Sequence, residues 1–422
     1  MHSDTPISTR QGLAYGAMGL PLAFVALPLY VILPNHYATA FGMPLAALGL
    51  VLLGARLLDA VIDPFIGRWC DRLFARSPRQ ILVMAAFAAL VLAAGFGLLF
   101  FPATREPQLL LVWASVFLVI TYAAYSALSV AHQSWGAMLG GDDMQRSRIV
   151  AWREGLALVG VVLASVAPVA IGLPGTWILF SACLAVGWLA WRRALRPVAL
   201  PSAQRHNLWR PLQMPRFRRL LGIFVLNGIA SAIPATLVLF FVQDRLQASR
   251  ALEPVFLGTY FVCAAASMPL WLQLVRRIGL TRSWLCGMLV AVTAFVWAAT
   301  LGTGDTVAFI LVCAASGVAL GTDLALPGAM LAGLIANAGH RGHLEGAYFG
   351  WWNFATKLNL ALAAGLALPL LALFGYAPGA RDAGALNALT MAYCLLPCLL
   401  KLAAATLLYR YHRQSATSGE AA

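Results

Sequence analysis

Charge is scarce in this chain, and acid is scarcest of all. Of its 422 residues only 10% are Asp, Glu, Lys or Arg, with 15 acids set against 29 bases. Soluble domains carry about 25% charged residues, so this supply is too small to clothe a water-soluble globule of such length. Cysteine is thin as well. The seven present (Cys70, Cys183, Cys263, Cys286, Cys313, Cys394 and Cys398) are odd in number, lie in or beside apolar segments and form no CxxC pair, which excludes a disulfide framework and reads as reduced packing residues. No HExxH zinc signature and no phosphate-cradling P-loop occurs, so neither a zinc peptidase nor an ATP-driven pump has support.

What is present is apolar. Hydrophobic residues make up 61% of the chain, in runs of about 20, the length of a membrane-crossing helix. Twelve spans are expected, at 12–34, 43–67, 81–102, 108–139, 149–172, 175–195, 220–243, 254–276, 283–303, 307–337, 346–374 and 387–409. The first apolar segment, from Leu13 to Leu33, is too long for a cleavable signal and is followed by no small-residue cleavage site, so it is expected to stay as span one. The chain therefore reads as an all-α membrane protein of two six-helix halves, 1–195 and 220–422, joined by a basic linker at 196–219.

A formal charge of +14 does not point to nucleic acid here, because the arginines lie in the loops. Twenty-one of them, Arg205 included, fall on one face of the predicted topology, and only Arg105, Arg245, Arg250 and Arg381 on the other. Positive loops stay in the cytoplasm, which predicts cytoplasmic N- and C-termini in a bacterial-type inner membrane. The halves echo each other: span two ends in Asp63-Pro64 through Gly67, Asp71 and Arg72, and span eight ends in Pro269 through Arg276, Arg277, Gly279 and Arg282. Six plus six spans with repeat symmetry suit a rocker-type secondary transporter with a site near the midplane.

Ionisable residues inside spans cost about 3 kcal/mol or more each and need a partner or a function. Here they are Arg56, Asp59, Asp63, Arg153, Glu154, Asp323, Lys357 and Lys401. Arg56, Asp59 and Asp63 are spaced by three and four, so the three charges share one helical face. Two carboxylates this close suit a proton or a hard cation such as sodium with oxygen ligands, and Pro64 frees a carbonyl near Ala60 as a further ligand. A static ion network with Arg56 is the bland alternative, although buried pairs stabilise poorly. Lys357 needs a carboxylate, for which Asp59 or Asp63 is the candidate. Tyr348, Trp351, Trp352 and Asn353 beside it offer an amphipathic surface for a polar solute, a pattern shared with membrane-interface aromatics. Span four carries Tyr122, Ser126, Ser129 and Gln133 at spacings of four, three and four, a polar stripe in an apolar helix that suits either ligand contact or helix-to-helix hydrogen bonds.

Adjacent Arg153 and Glu154 are expected on different faces. Asp323 lies between Gly321 and Pro327, where a bend, a gate or a substrate contact is expected. Lys401 reads as a snorkelling lysine. His132 reads as a packing histidine or a proton relay. One turn from Ser129, it also suggests an intramembrane enzyme, but no orienting acid lies nearby in sequence.

The stretch Arg56-x-x-Asp59-Ala60-x-x-Asp63-Pro64-x-x-Gly67, with Tyr15-Gly16-x-x-Gly19 before it and Lys357 after it, resembles the glycoside-pentoside-hexuronide:cation symporters of the major facilitator fold, over essentially the whole chain. The resemblance implies that Asp59 and Asp63 hold the coupling cation with help from the Ser126 hydroxyl. It likewise implies that Arg153 serves the substrate and Lys357 is coupled to the cation site. Ile62 stands where an amide ligand occurs in the best-known member, which favours the proton over sodium. Pro21 and Ser129 replace two sugar-gripping aspartates, and Leu20 and Gln133 replace a lysine and a tryptophan. A cavity leaning positive suits a sugar acid. The expected protein is thus a monomeric symporter of a small solute in the lipid bilayer, with H+ or Na+ as coupling ion and no other cofactor. Substrate contacts are expected from Arg153, Tyr125, Ser129, Gln133, Asp323, Trp352 and Asn353. An efflux antiporter or a lysolipid transporter on the same fold stays open.

Overall fold

The computed structural model describes residues 7–197, 207–373, 375–377 and 379–417. Part of the expected linker, with Arg205, lies outside them. The described residues are helical almost throughout. We number the long helices α1 (Thr9–Ala40), α2 (Leu45–Arg76), α3 (Pro78–Phe100), α4 (Pro107–Leu139), α5 (143–171), α6 (173–191), α7 (Pro215–Arg245), α8 (Glu253–Ile278), α9 (Leu280–Ala298), α10 (Thr306–Asn337), α11 (Glu345–Leu373) and α12 (Ala383–Gln414). Each of the twelve expected spans falls on one of these helices, several of which run on past it, and each helix is long enough at 1.5 Å per residue to approach or exceed a hydrocarbon core of about 30 Å.

The joints follow local chemistry. A side-chain oxygen of Ser8, Ser77, Asp142 or Asp382 accepts from a backbone N–H at the start of α1, α3, α5 or α12, taking up donors that the first helical turn leaves open. A single extended residue, Ser77, separates α2 from α3, and a single glycine, Gly279 at φ +82°, separates α8 from α9. The two joints sit where the sequence echo between spans two and eight leads. Helices α5 and α6 are joined by a turn at Gly172 alone, whose φ of +68° lies in the left-handed region that glycine enters at little cost.

The helices form two compact units, one of residues 1–211 and 332–354 and the other of 212–331 and 355–422. The stretch 332–354, which the sequence reading puts in the second half, thus belongs to the first unit. Its glycines Gly346 and Gly350 meet the α2 backbone. In the first unit α1 packs on α5 and α6, and α2 and α3 on α4. Phe24, Phe96 and Phe180 meet there as stacked and tilted rings. In the second unit α7 and α9 pack on α12, and Phe241 stacks on Tyr393 at 4.3 Å in a core with Leu237, Phe256, Phe309 and Leu389. The outer surface is apolar: Val83, Phe87 and Leu90 on one face of α3 are 70%, 68% and 71% exposed. In water such a face would drive aggregation, and against acyl chains it carries no penalty.

Candidate functional site

Helix α2 separates its two environments cleanly. Leu57, Leu58, Val61 and Phe65 are exposed on one side, while Asp59 and Asp63 on the other are buried at 4% and 0% exposure. The aspartates face protein, not lipid. Ser126 of α4, itself buried, donates its hydroxyl to Asp59 Oδ1 at 2.8 Å. Arg56, one turn earlier, sets its guanidinium over the Tyr30 ring, 4.2 Å from the centroid, a cation–π seat that lets a charge remain within the membrane. Two carboxylates and a hydroxyl provide hard oxygen ligands and proton acceptors, the chemistry that a proton or sodium ion requires.

Glycines place α2. A Cβ on Gly350 would press on the backbone of Asp63 and Pro64, and one on Gly67 would strike the Gly346 carbonyl, so α2 and the start of α11 meet backbone to backbone beside Asp63. The seam ends in a cap, where Asp71 accepts from the Gly346 and Ala347 amides at 2.6 and 2.8 Å. Glu345 accepts from the Gly342 amide at 2.7 Å and is fully buried. Asp71 and Glu345 lie beyond the spans expected at 43–67 and 346–374. Burial pushes the Glu345 carboxyl up to about 7, against the pull of backbone donors. It also pushes Asp71 up, with the neighbouring Glu345 charge adding to the rise. The sequence signal for this seam is the small-residue pair Gly346-x-x-x-Gly350, which reads as a close-packing motif only once its partner helix is known.

Along α4 the polar stripe divides. Gln133 donates to the Ser129 hydroxyl at 3.0 Å, one turn away on the same helix, and Tyr125 is half-buried. His132 is a packing residue: it stacks on Tyr15 at 4.3 Å, meets the edge of Trp191, and sets Nε2 2.8 Å from the Tyr15 carbonyl. That carbonyl only accepts, which makes Nε2 the protonated nitrogen. The Tyr15 hydroxyl donates in return to the His132 carbonyl. Gly12, Gly16 and Gly19 let α1 press against Trp152 and Arg153.

Arg153 and Glu154 differ from the expectation of separate faces. The Arg153 guanidinium turns back and donates to Glu154 Oε1 from Nε at 2.9 Å and from Nη2 at 2.6 Å. Helical spacing governs where the Cα–Cβ bonds point, and the long arginine stem overrides it. Glu154 therefore offsets the positive charge that the sequence reading assigned to Arg153. Trp352 and Asn353 are buried. Trp351 donates to the Leu208 carbonyl at 3.1 Å, and Tyr348 shares a 2.9 Å hydrogen bond with His340.

In the second unit Lys401 does not snorkel. It is 5% exposed, and its ammonium donates to Asp323 Oδ2 at 2.8 Å, Asn227 Oδ1 at 2.9 Å and Ser231 Oγ at 3.0 Å. Asp323 also accepts from Asn227, Ser231 and the Trp284 indole. One ion pair thereby ties α7, α9, α10 and α12 together, and α10 continues as helix across Pro327. Lys357 is half-buried on the part of α11 that belongs to this unit.

The family model described as MFS/sugar transport protein matches residues 12–191 and 199–414. The chain belongs to that family. The protein is therefore a multi-pass membrane transporter and not an enzyme, and its resemblance to the glycoside–cation symporters extends to individual relatives. It is 29% identical over 167 residues to the inner membrane symporter YicJ of Escherichia coli K12, covering 38% of this chain and 35% of the relative. It is 24% identical over 161 residues to the putative glycoside/cation symporter YagG of the same organism, again 38% and 35%. The matches thus span about a third of each E. coli symporter. A putative sugar efflux transporter of Deinococcus radiodurans is 26% identical over 274 residues, covering 61% of this chain and 67% of the relative. Among solved structures, a bacterial homologue of the iron transporter ferroportin in an outward-facing state superposes with a TM-score of 0.73 at 16% identity, covering 97% of this chain and 100% of that one. The E. coli fucose:proton symporter gives 0.69 at 15%, covering 94% and 98%. At those identities the likeness concerns the fold, which is the major facilitator fold.

Proposed function

We propose that this family member is a secondary symporter that couples a proton or sodium ion to a small polar organic solute, a sugar or sugar acid. It acts as a monomer in a bacterial-type inner membrane with both termini in the cytoplasm. The observation carrying this reading is the buried Asp59 and Asp63 pair turned away from lipid, with the Ser126 hydroxyl bonded to Asp59. Exchanging that negative charge for a bound cation alters the electrostatic cost of the site, and linkage makes solute and ion affinities reciprocal. Ile62 in place of an amide favours the proton. The Arg153–Glu154 pair balances the positive charge that favoured an anionic solute, so neutral sugars stand beside sugar acids as candidates.

The test is uptake by proteoliposomes of a sugar, sugar-acid and lysolipid panel under imposed proton or sodium gradients. Asp59→Asn and Asp63→Asn should abolish gradient-driven accumulation and leave exchange. Normal accumulation by both variants would refute the coupling assignment. The Deinococcus relative's name favours a second reading, efflux of a sugar. Loaded vesicles that expel solute against an imposed proton gradient would select it.

A further inference from the structure

A groove of about 900 Å³ opens on the first unit, away from the buried aspartates, between α1, α5 and α6. One wall is the α1 stripe Arg10, Leu13, Ala14, Ala17 and Leu20, spaced by three and four so that all share one helical face. The facing wall is Ala182, Cys183, Val186, Gly187 and Ala190 of α6, with Arg193 just past its end. Leu156 of α5 joins the lining. Small side chains leave the hollow, and the exposed Leu13 and Val186 make its rim apolar.

Its polarity is graded along its length. Arg10 begins α1 and Arg193 follows the end of α6, so the antiparallel helices bring both guanidinium groups to one mouth, with Ser8 and Gln11 beside them. Arg192, the next basic residue, is engaged elsewhere, 4.7 Å over the Trp188 ring. From Arg10 to Leu20 the helix rises about 15 Å at 1.5 Å per residue, roughly half of a 30 Å hydrocarbon core. The groove is thus about as long as one leaflet is deep, charged at one end and apolar along the rest. A soluble anion would use the mouth and leave the apolar length unmatched.

We propose that this groove is a binding site for an anionic phospholipid, with the phosphate held between Arg10 and Arg193 and one acyl chain lying between α1 and α6. Basic pockets between spans on the cytoplasmic side recognise anionic head groups by this combination. The lipid seats α1, the helix that packs on Trp152 and Arg153, and none of Asp59, Asp63 and Ser126 lines its site.

The experiment is native mass spectrometry of the full-length purified chain titrated with phosphatidylglycerol, phosphatidylethanolamine or glycerol phosphate. Phosphatidylglycerol should bind most tightly. Arg10→Gln and Arg193→Gln should each weaken it about fivefold, and together roughly 30-fold. Ala182→Trp, at an exposed position, should fill the groove and displace the lipid without lowering the melting temperature, which separates loss of binding from loss of folding. Equal affinity for both lipids, or binding unaffected by the arginine pair and by Ala182→Trp, overturns the proposal and leaves a nonspecific lipid shell. Displacement of phosphatidylglycerol by glycerol phosphate at comparable concentration also overturns it, in favour of a soluble phosphate.

Discussion

Removing Lys401 should unlock the second unit. The ammonium spends its three protons on Asp323, Asn227 and Ser231 at 2.8 to 3.0 Å, and Lys401→Met keeps the apolar stem while taking the charge away. Asp323 would retain Trp284, Asn227 and Ser231 as donors but lose its counter-charge, and breaking one side of a buried pair costs about 3–5 kcal/mol. A unit of this size melts about 2–4 °C lower per kcal/mol, so a fall of roughly 10 °C is expected. Asp323→Asn combined with Lys401→Met replaces the ions by a neutral amide that Trp284 and Asn227 still bond. Most of the loss should then be recovered, the non-additivity that marks a direct interaction. Thermal unfolding of the detergent-purified protein, followed by tryptophan fluorescence, reads Lys401→Met, Asp323→Asn and the double variant. A Lys401→Met melt within about 2 °C of the parent, or a double variant that loses the sum of the two single losses, would refute a stabilising ion pair.

Three other outcomes are expected. Ser126→Ala deletes a hydrogen bond to a carboxylate, worth about 1.5–3 kcal/mol, and should change the half-saturating concentration of the coupling ion by about tenfold or more in vesicle uptake; an unchanged value would remove Ser126 from the ion site. Gly350→Leu should lower thermal stability by about 1–3 kcal/mol or more because its Cβ meets the Asp63 and Pro64 backbone, whereas Gly258→Ala, with open space around it, should be neutral or stabilising. Glu345 holds its proton more tightly when folded than in the unfolded chain, about 7 against an ordinary 4.5. Its contribution is therefore full below about 4.5 and is lost as pH rises through about 7. Melting measured between pH 5 and 8 should fall with pH in the parent and flatten in Glu345→Gln.

The twelve spans were legible because each is a run of apolar residues bounded by arginine, proline or glycine, a signal contained in one segment. The inward face of Asp59 and Asp63 was legible for the same reason, since offsets of three and four along one helix need no neighbour to interpret. Contacts between distant segments were not. Lys401 looks like a snorkelling lysine until Asp323, 78 residues earlier, is placed beside it. Gly346 and Gly350 look like ordinary small residues until α2 lies against them. Arg153 and Glu154 failed differently, because face counting follows Cβ directions and ignores how far an arginine can fold back on its own helix.

The single left-handed residue between α5 and α6 has a bearing on how the protein is made. With Gly172 as the whole connection, neither helix has slack to cross the bilayer ahead of the other, so the pair is expected to insert together as one hairpin. An L-residue there would oppose the turn by about 1–3 kcal/mol, a penalty borne at insertion before any tertiary packing exists to offset it.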